Sequence, residues 1–319
     1  MTASNRELSV IVPVGRRHAD AAELYAEYTR SLDASGHPYE LIFVLDGPQD
    51  DFAAALRTAV PDTARPVTVV SLTRDFGEAT AVMAGFEHAR GGVIVTLPAY
   101  HQIVAEDISR LLAALEDCDL ATARRWPRVG GVFERIRRNI FHGLLGRVTG
   151  LRFRDLGCGA RAFDRKVLEE IQLYGDQHRF IAVLADRQGF HVREVDVRQS
   201  PKDRFDGYYE PRAYARGFLD IFTVFFLVRF TKKPLRFFGM VGVTMFLIGA
   251  ALLAWLVLER LVFGQPLTER PALLLSSLIV VLGLQLFALG LLGELIIFTH
   301  ARSIKDYQVE RVVQYAKTG

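Results

Sequence analysis

The sequence predicts an α/β protein: a doubly wound, mostly parallel sheet over residues 1–212, followed by a C-terminal two-helix membrane hairpin. Three observations predict it. Up to about residue 120, short apolar runs rich in β-branched residues alternate with helical stretches, the pattern of a parallel sheet with crossover helices. Each of the clearest apolar runs stops at Pro, Gly or Asp, residues that do not continue a central strand. Near the C-terminus lie two apolar runs of about the twenty residues a membrane helix needs.

The first strand is expected over Leu8–Pro13 and the second over Glu40–Gly47, with a helix between them from Ala19 to Ala34 that puts Leu24, Tyr28 and Leu32 on one face. Asp50–Ala59 reads as a short helix and Val67–Leu72 as a strand. Ala79–Ala89 follows as a helix with Val82, Met83 and Phe86 at helical spacing. Gly92–Leu97 is continuously apolar, as a strand buried on both faces would be. Pro98 ends it, and Ala99, Tyr100, His101 and Gln102 fall just past its carboxyl end, the edge where open α/β sheets bind ligands. A helix from Ala105 to Leu115 and a strand from Asp119 to Ala123 complete this part.

Between Arg124 and Arg154 stand nine arginines and one acid, Glu134. Within that stretch, Val132, Phe133, Ile136, Ile140, Phe141, Leu144, Leu145 and Val148 make one apolar stripe over Gly131–Thr149. Two readings stand open. The segment is a surface helix covering the sheet, or a basic amphipathic helix at an anionic membrane surface or phosphate site. The two cysteines, Cys118 and Cys158, form neither a disulfide framework nor a CxxC pattern and fit a reducing cytosol. The polar first residues carry no cleavable signal peptide.

Residues 213–236 read as an interfacial helix leading into the membrane. The spans are expected at about 237–258 and 272–298 within 237–299, and 300–319 is a cytosolic tail. Arg229, Lys232, Lys233 and Arg236 precede the first span, and Arg302 and Lys305 follow the second. Positive charge on the inner side puts both termini in the cytosol and the linker outside. Glu294, one turn from the cytosolic end of its span, is either snorkelling or functional.

Taken together, several segments resemble the polyprenyl-phosphate glycosyltransferases of family 2, the group that includes dolichyl-phosphate mannose synthases. Ser9-Val10-Ile11-Val12-Pro13-Val14 is similar to the family's first strand, and Phe43 to Asp50 to its DDGSxD segment. Arg74 to Thr80 resembles RNFGKEAA, and Gly157 to Arg165 resembles GxFRLxxR. His178-Arg179-Phe180, Gln188-Gly189-Phe190 and Lys233-Pro234-Leu235-Arg236 match later signposts. The resemblance implies a GT-A fold. It also implies transfer of a sugar from a nucleotide-sugar, UDP- or GDP-linked, to polyprenyl phosphate at the cytosolic leaflet of a bacterial-type inner membrane. No nucleic acid is expected as a partner, and a homo-oligomer is left open.

The chain departs from the family where the metal should sit. The family's strand ends in Asp-x-Asp, which holds Mg²⁺ or Mn²⁺; here those positions are Pro98 and Tyr100, and neither offers the carboxylate oxygen a hard cation prefers. The first Asp of DDG is Leu45, although Asp46 remains; the acid often found before FR is Gly159; the Lys of GKEAA is Glu78. No metal ligand is therefore expected, and no cofactor. The resemblance and the strand ends together nominate Pro13, Val14, Asp46, Arg74, Ala99, Tyr100, Arg124 and Arg125 for the nucleotide-sugar. His101, Arg161 and Asp155 are the catalytic candidates, and Arg135, Arg138 and Arg204 are the acceptor-phosphate candidates. Arg124, Arg125 and Arg161 would neutralise the leaving diphosphate in place of metal. Two other readings remain: a catalytically inactive relative that keeps a nucleotide or lipid pocket as a binding or scaffold protein, and a structural partner of another membrane enzyme.

Overall fold

The computed structural model describes residues 7–60, 67–127, 143, 153–171, 177–203, 234–263 and 271–300. The segment Gly131–Thr149 (but for the exposed, helical Gly143), most of the interfacial stretch and the tail lie outside the described residues, as do Arg135, Arg138 and Arg204. The chain falls into two compact units, Met1–Asp220 and Ile221–Gly319.

In the first unit the elements run β1 (Leu8–Val14), α1 (Ala21–Ser35), β2 (Tyr39–Leu45), α2 (Asp50–Ala59), β3 (Val67–Ser71), α3 (Glu78–His88) and β4 (Val93–Thr96). A 3₁₀ turn (Ala105–Asp107) then leads into α4 (Ile108–Ala114), followed by β5 (Leu120–Arg125), β6 (Arg161–Asp164) and α5 (Lys166–Glu170). A second 3₁₀ turn (Gln177–Phe180) precedes α6 (Ile181–Gln188) and β7 (Val192–Val197). They form one seven-stranded sheet in the order β3-β2-β1-β4-β6-β5-β7. Only β6 runs against its neighbours, pairing Thr96 with Arg161 on one side and Thr122 with Arg161 on the other.

Local chemistry accounts for the boundaries. Asp20 caps α1 by accepting from the Glu23 N–H at 2.9 Å, and Gly36 ends it with φ 72°, a left-handed turn that glycine adopts without strain. Every residue of β1, β2 and β4 is buried, as a strand covered on both faces requires. Val10, Val12, Leu41 and Phe43 pack with Leu24, Tyr28, Leu32, Phe52 and Leu56 of α1 and α2. On the opposite face, α3 comes so close that a Cβ on Gly85 would stand 2.5 Å from Ile11 Cγ2 and 3.0 Å from Val44 Cγ2. The sheet is thus held from both sides, and the carboxyl ends of β1, β2, β4, β5 and β7 meet the start of β6 along one edge.

In the second unit, α7 (Pro234–Phe263) and α8 (Pro271–His300) are each 30 residues long, about 45 Å at 1.5 Å per residue and more than a bilayer core demands. Both start at a proline, whose missing N–H costs nothing at a first helical position. They pack through glycine. A Cβ on Gly242 would lie 2.7 Å from Gly283 O, and one on Gly249 would lie 2.8 Å from Val280 N, so backbone meets backbone. Leu247, Trp255, Leu274 and Leu278 stay exposed around the pair, on helices long and apolar enough to cross a membrane. Glu294 accepts from the Leu235 N–H at 3.4 Å, so its carboxylate serves the first turn of α7.

Candidate active site

The exit from β4 forms the floor of the edge. Pro98 is buried, and its carbonyl accepts from the Tyr28 hydroxyl at 2.7 Å. Ala99 O accepts from Ala19 N at 2.7 Å, tying the β1–α1 loop to the same turn. Tyr100 Oη accepts from Gln102 Nε2 at 2.5 Å, and Gln102 Oε1 accepts from Gly159 N at 2.8 Å. A side chain at Gly159 would start 3.4 Å from Pro98 Cβ and 3.8 Å from Glu78 Oε1. The strand end and the turn before β6 therefore form one packed unit.

This donor set does not suit a hard divalent cation. Pro98 has no side-chain donor and its carbonyl is taken by Tyr28, while burial pushes the Tyr100 phenol up to about 12, so it stays protonated. Asp46, the one acid left of its pair, spends its two oxygens on the N–H groups of Phe76 (2.7 Å) and Gly77 (2.9 Å). Among the described residues no group of three or more His, Cys, Asp or Glu side chains is placed to hold a metal.

The arginines are distributed differently from the sequence expectation. Arg124 and Arg125 are not just past β5 but its last two residues, in register with Asp196 and Val197 of β7. Arg124 forms a two-pronged pair with Asp196, Nη2 to Oδ2 at 2.6 Å. Arg125 is buried and held by Asp155, Nε to Oδ2 at 2.8 Å and Nη2 to Oδ1 at 2.9 Å, with Nη1 to Asp203 Oδ2 at 3.1 Å. Burial works against the Arg125 charge, but the Asp155 hydrogen bonds and the surrounding anions hold it well above its ordinary range. Asp155, buried, is thus engaged as the partner of Arg125, and its own N–H donates to Glu194 Oε1 at 3.1 Å. Arg161 differs from both. It is 2 % exposed, and its Nε has no hydrogen-bond partner among the described residues. Burial lowers its pKa against the opposing pull of Glu78.

The other expected residues divide. Pro13 and Val14 end β1 beside Val44 and Leu45, and Val14 O accepts from Asp46 N at 2.8 Å. Arg74 is exposed and lies 4.8 Å over the Phe76 ring. His101 is turned to α1 rather than to the arginines: its Nδ1 stands 2.8 Å from Glu27 and its Nε2 3.4 Å from Glu23, contacts whose angles are not those of hydrogen bonds. Sequence reasoning passed over Asp203, Arg17 and the working role of Gln102. It also passed over His178, whose Nε2 lies 3.2 Å from Glu78. Burial, with the charges of Arg161 and Arg179, pulls that imidazole down to about 3 despite the nearby carboxylate, so it is neutral. The signals were present: the Arg16-Arg17 pair follows the first strand directly, and His178 lies in a motif already matched.

The fold has counterparts among known proteins. Residues 9–172 match the family described as "Glycosyl transferase family 2". The undecaprenyl-phosphate 4-deoxy-4-formamido-L-arabinose transferase of Shewanella sediminis is 31% identical over 96% of this chain and 92% of its own. The dodecaprenyl-phosphate galacturonate synthase of Rhizobium johnstonii is 28% identical over 93% of this chain and 89% of its own. In fold, mannosyl-3-phosphoglycerate synthase from Rubrobacter xylanophilus superposes with a TM-score of 0.53 at 14% identity, covering 69% of this chain and 73% of that one. The sheet order with its single reversed strand, the matched motifs and this full-length similarity place the chain in glycosyltransferase family 2.

Proposed function

We propose that the protein transfers a sugar from a nucleotide-sugar to polyprenyl phosphate at the cytosolic leaflet. The observation that carries this is similarity running from the first strand through the apolar hairpin to relatives named as undecaprenyl-phosphate sugar transferases. In the reaction an oxygen of the lipid phosphate forms a bond to the anomeric carbon. The bond from that carbon to the nucleoside diphosphate breaks, and its electron pair leaves on the diphosphate oxygen. The acceptor is already an anion, so no base is needed to activate it. The protein's tasks are to hold two anions near one another and to stabilise the departing charge.

Neither Pro98 nor Tyr100 offers a carboxylate, so the reading assigns charge stabilisation to arginine. Arg161 is the expected member whose buried Nε has no hydrogen-bond partner among the described residues. Its charge persists at neutral pH. Arg135, Arg138 and Arg204 remain the proposed contacts to the acceptor phosphate. The proposed topology has both termini in the cytosol, and a cysteine introduced at Gln265 would react with an impermeant reagent outside the cell.

The test is transfer of labelled sugar from UDP- and GDP-sugars to polyprenyl phosphate by the purified chain, with and without EDTA. Turnover that survives chelation is the expected result. Turnover abolished by EDTA would overturn the arginine assignment; nucleotide binding without any turnover would make the chain a binding protein.

A further inference from the structure

Gln285 stands midway along α8, and it is exposed. At 1.5 Å per residue it lies about 21 Å from either end, near the middle of the hydrocarbon that a helix of this length crosses. Other polar side chains of the two helices find partners within them. The hydroxyls of Thr244, Ser276 and Ser277 donate to the carbonyls of Met240, Leu273 and Leu274 at 2.8, 3.1 and 2.9 Å, and Glu294 accepts from Leu235 N. The side-chain amide of Gln285 makes no hydrogen bond to a described residue. An amide left unpaired in hydrocarbon is costly.

The residues around it follow a regular step. Leu275, Leu278, Leu282, Gln285, Leu289 and Leu292 succeed one another at alternating intervals of three and four, and all are exposed, the leucines by 42 to 64%. A mean step of 3.5 residues keeps one stripe turned toward a partner helix. The stripe is not the face that α7 covers. Gly283 and Gly290 pack there, against Gly242 and Gly239, and Gln285 lies about 200° round the helix from Gly283.

We propose, on the reading of α8 as a membrane span and independently of the transfer reaction, that this stripe packs against the same stripe of a second copy, as a parallel pair with Gln285 opposite Gln285. A glutamine amide offers both donor and acceptor, so two of them related by a two-fold axis satisfy each other reciprocally. Copies of one chain insert in the same direction. A two-fold axis along the membrane normal therefore brings every residue of the stripe to the depth of its own counterpart, and a mid-span amide meets a mid-span amide. A leucine stripe interrupted by one polar residue is also the pattern that fixes register between paired helices.

The experiment uses the full chain in phosphatidylcholine vesicles. Flotation of wild type and each variant with the vesicles after an alkaline wash comes first; a wild type that is washed off does not span the membrane, and the proposal falls with that reading. Energy transfer between chains carrying donor and acceptor dyes at the N-terminus is then followed as the protein-to-lipid ratio rises. Transfer above that of randomly mixed, non-associating labels is expected. Gln285→Leu should weaken the association roughly 3- to 30-fold, the range for a hydrogen bond between membrane helices, and Gln285→Asn, which keeps an amide, should weaken it less. On mild oxidation Leu282→Cys should give disulfide-linked pairs, and Leu284→Cys, exposed but off the stripe, should give few. The native Cys118 and Cys158 are buried, so wild type supplies the background. A chain that stays monomeric, its stripe covered by lipid or by another segment of itself, overturns the proposal. Association that Gln285→Leu leaves unchanged overturns it too, as does cross-linking that is equal at 282 and 284.

Discussion

Asp155→Ala separates a strut from a catalyst. Asp155 accepts three hydrogen bonds from Arg125: from the backbone N at 3.2 Å, Nε at 2.8 Å and Nη2 at 2.9 Å. Removing it leaves a buried guanidinium with Asp203 as its remaining carboxylate among the described partners. Breaking one side of a buried pair costs about 3–5 kcal/mol. For a unit of this size that is a fall in Tm on the order of 6–20 °C. Replacing both partners, Arg125→Met with Asp155→Leu, removes the stranded charge and should recover most of the loss. The assay is thermal unfolding of the full chain in detergent, with nucleotide binding measured on each variant. If Asp155→Ala stays within about 1 kcal/mol of wild type, or the double variant is no more stable than the single, the pair is not a strut and the reasoning is refuted.

Acidification supplies a second test. His178 has its imidazole pulled down to about 3, so between that pH and its unfolded value near 6.5 the unfolded chain carries a proton the folded chain does not. Stability therefore rises with pH through this window and is lost on acidification, by about 2 kcal/mol at pH 5 relative to neutral pH. His178→Asn should flatten that slope in thermal scans at pH 5 and 7.5; an unchanged slope would show that other groups set it. Asp46→Ala releases the Phe76 and Gly77 amides and should weaken nucleotide binding about tenfold through the misplaced loop. Equal affinity in calorimetry would mean the loop holds without it. Gly283→Ala drives a Cβ to within 2.5 Å of Phe246 N, so α7 and α8 must part. A loss of about 1–3 kcal/mol in detergent unfolding is expected, and no loss would show that the helices are not held at this crossing.

The elements that sequence reasoning reached are those with a local cause. β1, β2 and β4 announce themselves as apolar runs, and α1, α2 and α3 by spacing; the structure shifts their ends by a residue or two. β6 and β7 were not read. Arg161–Asp164 is four residues with charged ends, a strand only because β4 and β5 flank it. Val192–Val197 does not alternate cleanly: Glu194 and Asp196 lie on one face and Arg193 on the other, so no apolar face marks it. Helices cover both apolar runs expected as spans and extend past them at both ends. The site was less legible because its charges are settled far along the chain. Arg124 meets Asp196 and Arg125 meets Asp203, partners that no spacing rule connects, so a count of arginines overstates the cations available to a ligand. For His101 a local clue did exist, since Glu23 and Glu27 lie one turn apart on α1 and offer an imidazole two carboxylates.

The reversed strand has a consequence for how the molecule is made. β1 to β4 close as parallel pairs once residue 96 has been synthesised, but β5 cannot join them, because β6 lies between. From residue 126 until residues 161–164 emerge, the Val93–Thr96 edge of β4 and both edges of β5 await partners, and β7 arrives later still. Open apolar strand edges are where nascent chains associate wrongly. Translation through this interval is thus the period of greatest hazard. A pause there would favour aggregation, whereas the same pause after residue 197 would find every strand of the sheet already made.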